Sequence, residues 1–228
     1  MAWKEFKNEL NGNRVEGELI KTFLYSIIIS LLSFFTFYFV VDGNGLYEFL
    51  GKYGQSIFLT AISYGLIVCS IRQVRAYKEM PCMSGMMVGM TTGMIAGFLP
   101  GFYVATNNGM FIGSVFGMFI GIGVGIWNGK CSGIMGIMEG IMAGFMGGLM
   151  GAMTAFMLIN DHLLASSIIV LIISAVILIG LNFMIYNEMK ETKRQRYEDH
   201  FLTIIVTFIL MMITMWLIVV GPRGGLFT

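Results

Sequence analysis

Charge is what this sequence has least of. Of its 228 residues 12% are charged, about half the ~25% usual in soluble chains, and that excludes an ordinary water-soluble domain. A net charge of +1 leaves no electrostatic footprint for nucleic acid. Three cysteines are too few for a disulfide framework. No GxxxxGK[ST] loop occurs, so no ATP-driven motor is encoded. The two histidines fall in or beside loops, which leaves no hydrolase triad and no sign of an enzyme. The last apolar run carries no lysine for a retinal Schiff base, and arginine-rich voltage-sensor spacing is missing as well.

Apolar content is high instead, at 57% hydrophobic, with 30 glycines and 21 methionines against 3 prolines. That content excludes disorder, and glycine follows no three-residue period, which excludes a collagen. A helix needs roughly 20 apolar residues to cross a bilayer. Such runs are Thr22–Val41, the shorter Gly54–Ile71, Leu163–Tyr186 and Phe201–Val220. Met80–Gly129 is free of charge, and the Asn107-Asn108-Gly109 turn signal divides it into Ser84–Ala105 and Met110–Trp127. Ser132–Leu158, interrupted by Glu139, completes seven. A re-entrant hairpin in the glycine-rich middle is the alternative to a full pair of spans.

Loop charge supports seven. With the N-terminus inside, twelve of the 14 lysines and arginines lie on the cytoplasmic side, and Lys52 and Arg223 lie outside. A six-span arrangement puts one basic cluster on the wrong side. The expected fold is therefore an all-α multi-pass protein of the plasma membrane, in character that of a prokaryotic inner membrane. The start is not a signal peptide. Residues 1–19 read as a cytoplasmic interfacial helix with Trp3, Phe6 and Leu10 on one face, and 20–79 hold spans one and two. Residues 80–158 form a Gly/Met-rich core of three spans, and 159–228 hold spans six and seven.

The core has its own period. Gly85, Gly89, Gly93, Gly97 and Gly101 recur every four residues in span three. Gly109, Gly113, Gly117, Gly121, Gly125 and Gly129 do so in span four, and Gly136, Gly140, Gly144 and Gly148 in span five. Four-residue spacing makes one helix face, and glycine there lets backbones approach closely. Three tightly packed helices are expected, jacketed by the Ile-, Leu- and Phe-rich outer spans. Segments 89–98 (GMTTGMIAGF) and 136–145 (GIMEGIMAGF) also repeat one another, and transporters are often built on repeats with sites at their interface. Convergence within a Gly/Met/Ile vocabulary is the competing explanation.

Methionine follows glycine. Met86, Met90 and Met94 form a row on span three, and Met138, Met142 and Met146 another on span five. Neutral thioethers suit a soft cation such as Cu(I) and let it move without being trapped. Methionine is equally an adaptable filler beside glycine grooves. Cys82 and Cys131 open the two methionine-bearing spans on the cytoplasmic side, where with Met83 they could bind a soft metal. No CxxC or HxxxH spacing accompanies them. Glu139 lies about 10 Å into span five at 1.5 Å per residue. An acid at that depth faces a cavity, a partner or the bundle interior, and would compensate cation charge or carry a proton. Asn107, Asn108, Asn160, Asp161 and His162 gather at the outer ends and are turn-formers or a cation mouth.

The MxxxM rows with adjacent GxxxG motifs, over Pro81 to Met153, resemble those of the trimeric copper transporter family, and the style of other Met/Gly-rich prokaryotic membrane proteins. The resemblance implies methionines such as Met86 and Met90 along a Cu(I) path, glycines sealing the packing, and an oligomer in the bilayer. The chain differs in span count and lacks a methionine-rich extracellular tail. The leading expectation is a small cation transporter or channel with Cu(I) as cargo. The alternative is a non-catalytic scaffold or assembly factor whose glycine faces bind partner membrane helices.

Overall fold

The computed structural model describes residues 15–41, 46–77, 80–159, 161–189 and 200–221. The expected interfacial helix at Trp3, Phe6 and Leu10 lies outside them, as does Asn160. Among the described residues there are seven α-helices and no strand. They are α1 (Val15–Val41), α2 (Leu46–Arg75), α3 (Cys82–Asn108), α4 (Met110–Gly129), α5 (Gly133–Met157), α6 (Leu163–Glu188) and α7 (His200–Val220). Each apolar run becomes one helix, because a chain in hydrocarbon must satisfy its backbone polar groups internally. Five apolar helical stretches are long enough to cross a membrane: Glu18–Phe37, Gly54–Arg75, Cys82–Asn108, Met110–Met157 and Leu163–Glu188.

Two glycines turn the chain within the core. Gly109, with φ of 94°, separates α3 from α4, where the Asn-Asn-Gly signal predicts a turn. A 3-10 turn over Lys130–Ser132, followed by Gly133 with φ of 74°, separates α4 from α5. Positive φ of this size is open to glycine and strained for most other residues. The Gly109 end is outermost in the expected orientation, and the Gly133 end innermost.

α3, α4 and α5 pack as a trio around an axis made of glycine. A Cβ added at Gly89, Gly93, Gly97 or Gly101 would meet the carbonyl oxygen of Gly136, Gly140, Gly144 or Gly148 at 2.7–3.0 Å. The constant interval from one helix to the other means that α3 and α5 run parallel and in register. α4 runs antiparallel to both, and its Gly129, Gly125, Gly121 and Gly117 face the same four levels. Gly113 continues the row against Ala105. Each level is thus a layer of three glycines with backbone touching backbone, the close approach that small residues permit between membrane helices. The axis is filled by main chain. Segments 89–98 and 136–145 lie side by side in the register of their sequence match.

The outer helices do not jacket this trio on all sides, contrary to the sequence expectation. α2, α6 and α7 pack on α3, and α1 packs on α2 and α7. α5 packs on α3 and α4 and substantially on no outer helix. Glycine rows that close on each other leave the trio self-contained, so α4 and α5 need no further cover to bury their backbones. α1 joins the outer layer through Thr22, Ser26, Ser30 and Ser33, all buried. The hydroxyls of Thr22, Ser30 and Ser33 donate back to carbonyls of their own helix at 2.8 Å, so these small side chains enter an apolar contact already satisfied.

Candidate functional site

The methionine rows follow from the glycine rows. On a 3.6-residue helix, a row displaced by one or two positions points away from the axis that its neighbour occupies. Met90, Met94, Met138, Met142 and Met146 are therefore 38–57% exposed on the flanks of α3 and α5, and Met86 is half-buried. Met150, Met153 and Met157 extend the exposed row of α5. None of these thioethers fills a glycine groove, because each groove holds another helix's backbone. Nor do they line the axis of the trio.

Glu139 is half-buried on α5. Among the described residues it has no ion-pair or hydrogen-bond partner. Its counterpart in the repeat, Thr92, is buried on α3 and donates to the Val88 carbonyl at 2.6 Å. The two equivalent positions differ because the outer helices cover α3 and leave α5 open.

The two cysteine-bearing turns do come together, at the Gly133 end of the trio. Ser132 Oγ donates to the Cys82 carbonyl at 3.0 Å, and the Met80 amide donates to the Cys131 carbonyl at 3.3 Å. Cys82 is exposed, while the Cys131 thiol is turned onto the Tyr77 carbonyl at 3.6 Å. Among the described residues no cluster of three or more His, Cys, Asp or Glu is placed to hold a metal.

Near the Gly109 turn and the start of α6 the described polar residues are occupied in shaping turns and pinning helices. Asn108 Nδ2 donates to the Leu217 carbonyl at 2.6 Å, tying α3 to α7. Asn107 Nδ2 donates to the Tyr103 carbonyl at 3.3 Å, and Asp161 accepts from the His162 amide at 2.8 Å. Among the described residues these side chains are engaged in separate local bonds.

A buried polar group among the outer helices escapes the sequence reading. Arg72 Nη2 meets Glu18 Oε2 at 2.9 Å, with the arginine 4% and the glutamate 29% exposed. Arg75 stacks over the Trp127 ring at 4.7 Å from its centroid, a cation–π contact between α2 and α4. Gln73, wholly buried, donates through Nε2 to the Asn182 carbonyl at 3.0 Å. The available signal was polarity within apolar helices, which in a membrane asks for a named partner. Arg72 and Arg75 read instead as loop charge, although both are still helical.

An all-α protein with several helices long and apolar enough to cross a membrane is the class that these features define. Comparison with known proteins takes the matter no further: no family model, no curated protein and no solved structure matches the chain.

Proposed function

We propose that the protein is a small transporter or channel for a cation, with the soft ion Cu(I) as its cargo, and that it works as a homo-oligomer. The observation that carries this reading is the exposure of the methionine rows. The α3 and α5 thioethers stand outside a glycine axis too tight to conduct, and on α5 no outer helix covers them. Their role as groove filler is gone, and a path between copies would put rows from neighbouring chains face to face. Met86, Met90, Met94, Met138, Met142 and Met146 would pass the ion along by weak, neutral soft-ligand contacts. Glu139, beside the row and without a partner among the described residues, would supply charge compensation or a proton. An assembly also gives that acid the cavity or partner that hydrocarbon denies it. Cys82 and Cys131 would receive or deliver the ion on the cytoplasmic side.

Seven crossings of the plasma membrane with the N-terminus inside belong to the same proposal. A Cys69→Ser/Cys131→Ser protein retains the exposed Cys82 as its single thiol. A membrane-impermeant maleimide is expected to label it in inside-out vesicles and not in intact cells. The opposite pattern would reverse the orientation.

Cu(I) uptake by liposomes containing the purified protein tests the cargo. Wild type is expected to carry Cu(I), and Met138→Leu/Met142→Leu/Met146→Leu to fall to the rate of protein-free vesicles. Leucine at exposed apolar positions conserves volume and should cost less than about 1.5 kcal/mol in all but packed sites, so loss of flux would report the sulfur. A well-folded wild type with neither bound copper nor flux would sink the reading. The scaffold alternative needs a changed docking face, because the glycine rows are occupied within the chain and α5's methionine flank is what stays open.

A further inference from the structure

The open flank of α5 has a period of its own. Met135, Glu139, Met142, Met146, Leu149 and Met153 recur at alternating intervals of four and three residues. That is the 3.5-residue repeat of one helix laid along another, and lipid imposes no such repeat. The glycines of α5 recur at four residues and close the trio, so the two periods mark two different faces. The four methionines of the seam are 45–61% exposed, and Glu139 and Leu149 are half-buried. Among the described residues no outer helix packs substantially on α5.

The composition of this face sets it apart from the lipid-facing ones. On α6 the exposed large side chains are all Leu, Ile or Val, whereas on α5 seven of ten are methionine. Flexible thioethers adapt to the surface of a protein partner. Glu139 stands within the seam, and it is the one charged residue of the trio, since α3 and α4 carry none. No base on these three helices can complement the acid. In hydrocarbon a polar side chain is held by a hydrogen-bonding group on a neighbouring helix, and here that helix must come from outside the trio.

We propose that a second copy of this chain covers the seam, α5 against α5, and that Glu139 hydrogen-bonds the partner copy's Glu139. Copies oriented by the same loop charges lie the same way up in the membrane, so the two helices run parallel. In a parallel heptad pair equivalent levels meet. Carboxyl then faces carboxyl, with the thioethers of Met135 and Met142 at the adjoining levels. One carboxyl donates its O–H and the other accepts, a charge-assisted bond. The acid site is complete only in the dimer. This inference rests on the homo-oligomer proposed above and names its contact face.

Cross-linking of single cysteines in native membranes, by a short bismaleimide with a copper chelator present, tests the contact. In a Cys69→Ser/Cys82→Ser/Cys131→Ser background, Met135→Cys, Met142→Cys and Met146→Cys are each expected to give a cross-linked dimer. Ile134→Cys, at a position 80% exposed on α5 but outside the seam, and Ile172→Cys on α6 should stay monomeric. Sedimentation equilibrium in micelles tests the acid. Glu139→Leu is expected to weaken the dimer roughly three- to tenfold, the range of one interhelical hydrogen bond in a membrane. Glu139→Gln, which still donates and accepts, should stay close to wild type. Equal linking at Ile134 and Met142, stronger linking at Ile172, or no seam link in a folded protein would overturn the interface. An unweakened Glu139→Leu dimer would overturn the carboxyl pair. Seam links without Cu(I) flux would sink only the cargo, and flux without seam links only this interface.

Discussion

Replacing Gly121 by alanine is expected to destabilise the protein by about 3 kcal/mol, the upper part of the range for overpacking a tight interior. The same change at Gly123, two residues along the same helix, is expected to stabilise it by up to about 1 kcal/mol. The difference is geometric. A Cβ at Gly121 would lie 2.8 Å from the Gly144 carbonyl oxygen and 2.8 Å from the Gly97 Cα, well inside the 3.4 Å where ordinary contact begins. Both obstacles are backbone of neighbouring helices, so no side chain can rotate away. Relief requires α4 to move off α3 and α5 together, which loosens the adjoining glycine layers as well. A Cβ at Gly123 meets nothing within 4 Å, and there alanine only improves helix propensity and narrows the unfolded ensemble. Denaturation midpoints of the two variants, followed by circular dichroism in mixed micelles, separate the cases. Equal midpoints would mean that the axis is looser than backbone contact implies.

That axis was the most legible part of the fold. Three glycine rows at four-residue spacing state that each helix has one flat face, and three flat faces can close on one another. The 89–98 and 136–145 match carries the register as well, since the two segments lie side by side as aligned. The Asn107-Asn108-Gly109 turn was equally open to reading, because only glycine takes its φ easily. The surroundings of the trio were not legible. Ile, Leu and Phe on α1, α6 and α7 suit lipid and protein neighbours alike, so composition could not reveal that the cover is one-sided. Methionine suffers from the same ambiguity: its spacing gave the rows, but their exposure depends on which helices stop short of α5. The pairing of Gln73 with Asn182 joins residues far apart in sequence, and no periodicity encodes such a partner.

The one-sided cover also bears on the difference in chemistry between the matching segments 89–98 and 136–145. The α3 copy is packed against α2, α6 and α7, and at Thr92 it keeps a hydroxyl that its own helix satisfies. The α5 copy has that side open and carries Glu139 there. An acid on the covered copy would need a partner among apolar neighbours, and unpaired burial of a charge is costly. On the open copy, its partner can come from another chain or from water in a shared path. The location of the acid and the exposure of the thioethers thus follow from one architectural fact.

The largest effect outside the axis is expected at the junction of α1 with α2. Glu18→Ala should cost about 2 kcal/mol, the scale of one lost hydrogen bond to a charged group. Arg72 is the more deeply buried partner at 4% exposure, so water replaces the lost carboxylate poorly. The contact belongs to a wider seam, since the Cys69 thiol reaches the Leu19 carbonyl at 3.5 Å one turn along. Arg72→Met should cost less than Glu18→Ala, because the glutamate that remains is 29% exposed and can reach water. Glu18→Ala/Arg72→Met together should recover much of the glutamate loss, as replacing both ions by apolar groups is often near neutral. A double-mutant cycle in the same micelles measures the coupling directly. Strictly additive losses would show that Glu18 and Arg72 act separately, and the seam would then be held by its apolar contacts alone.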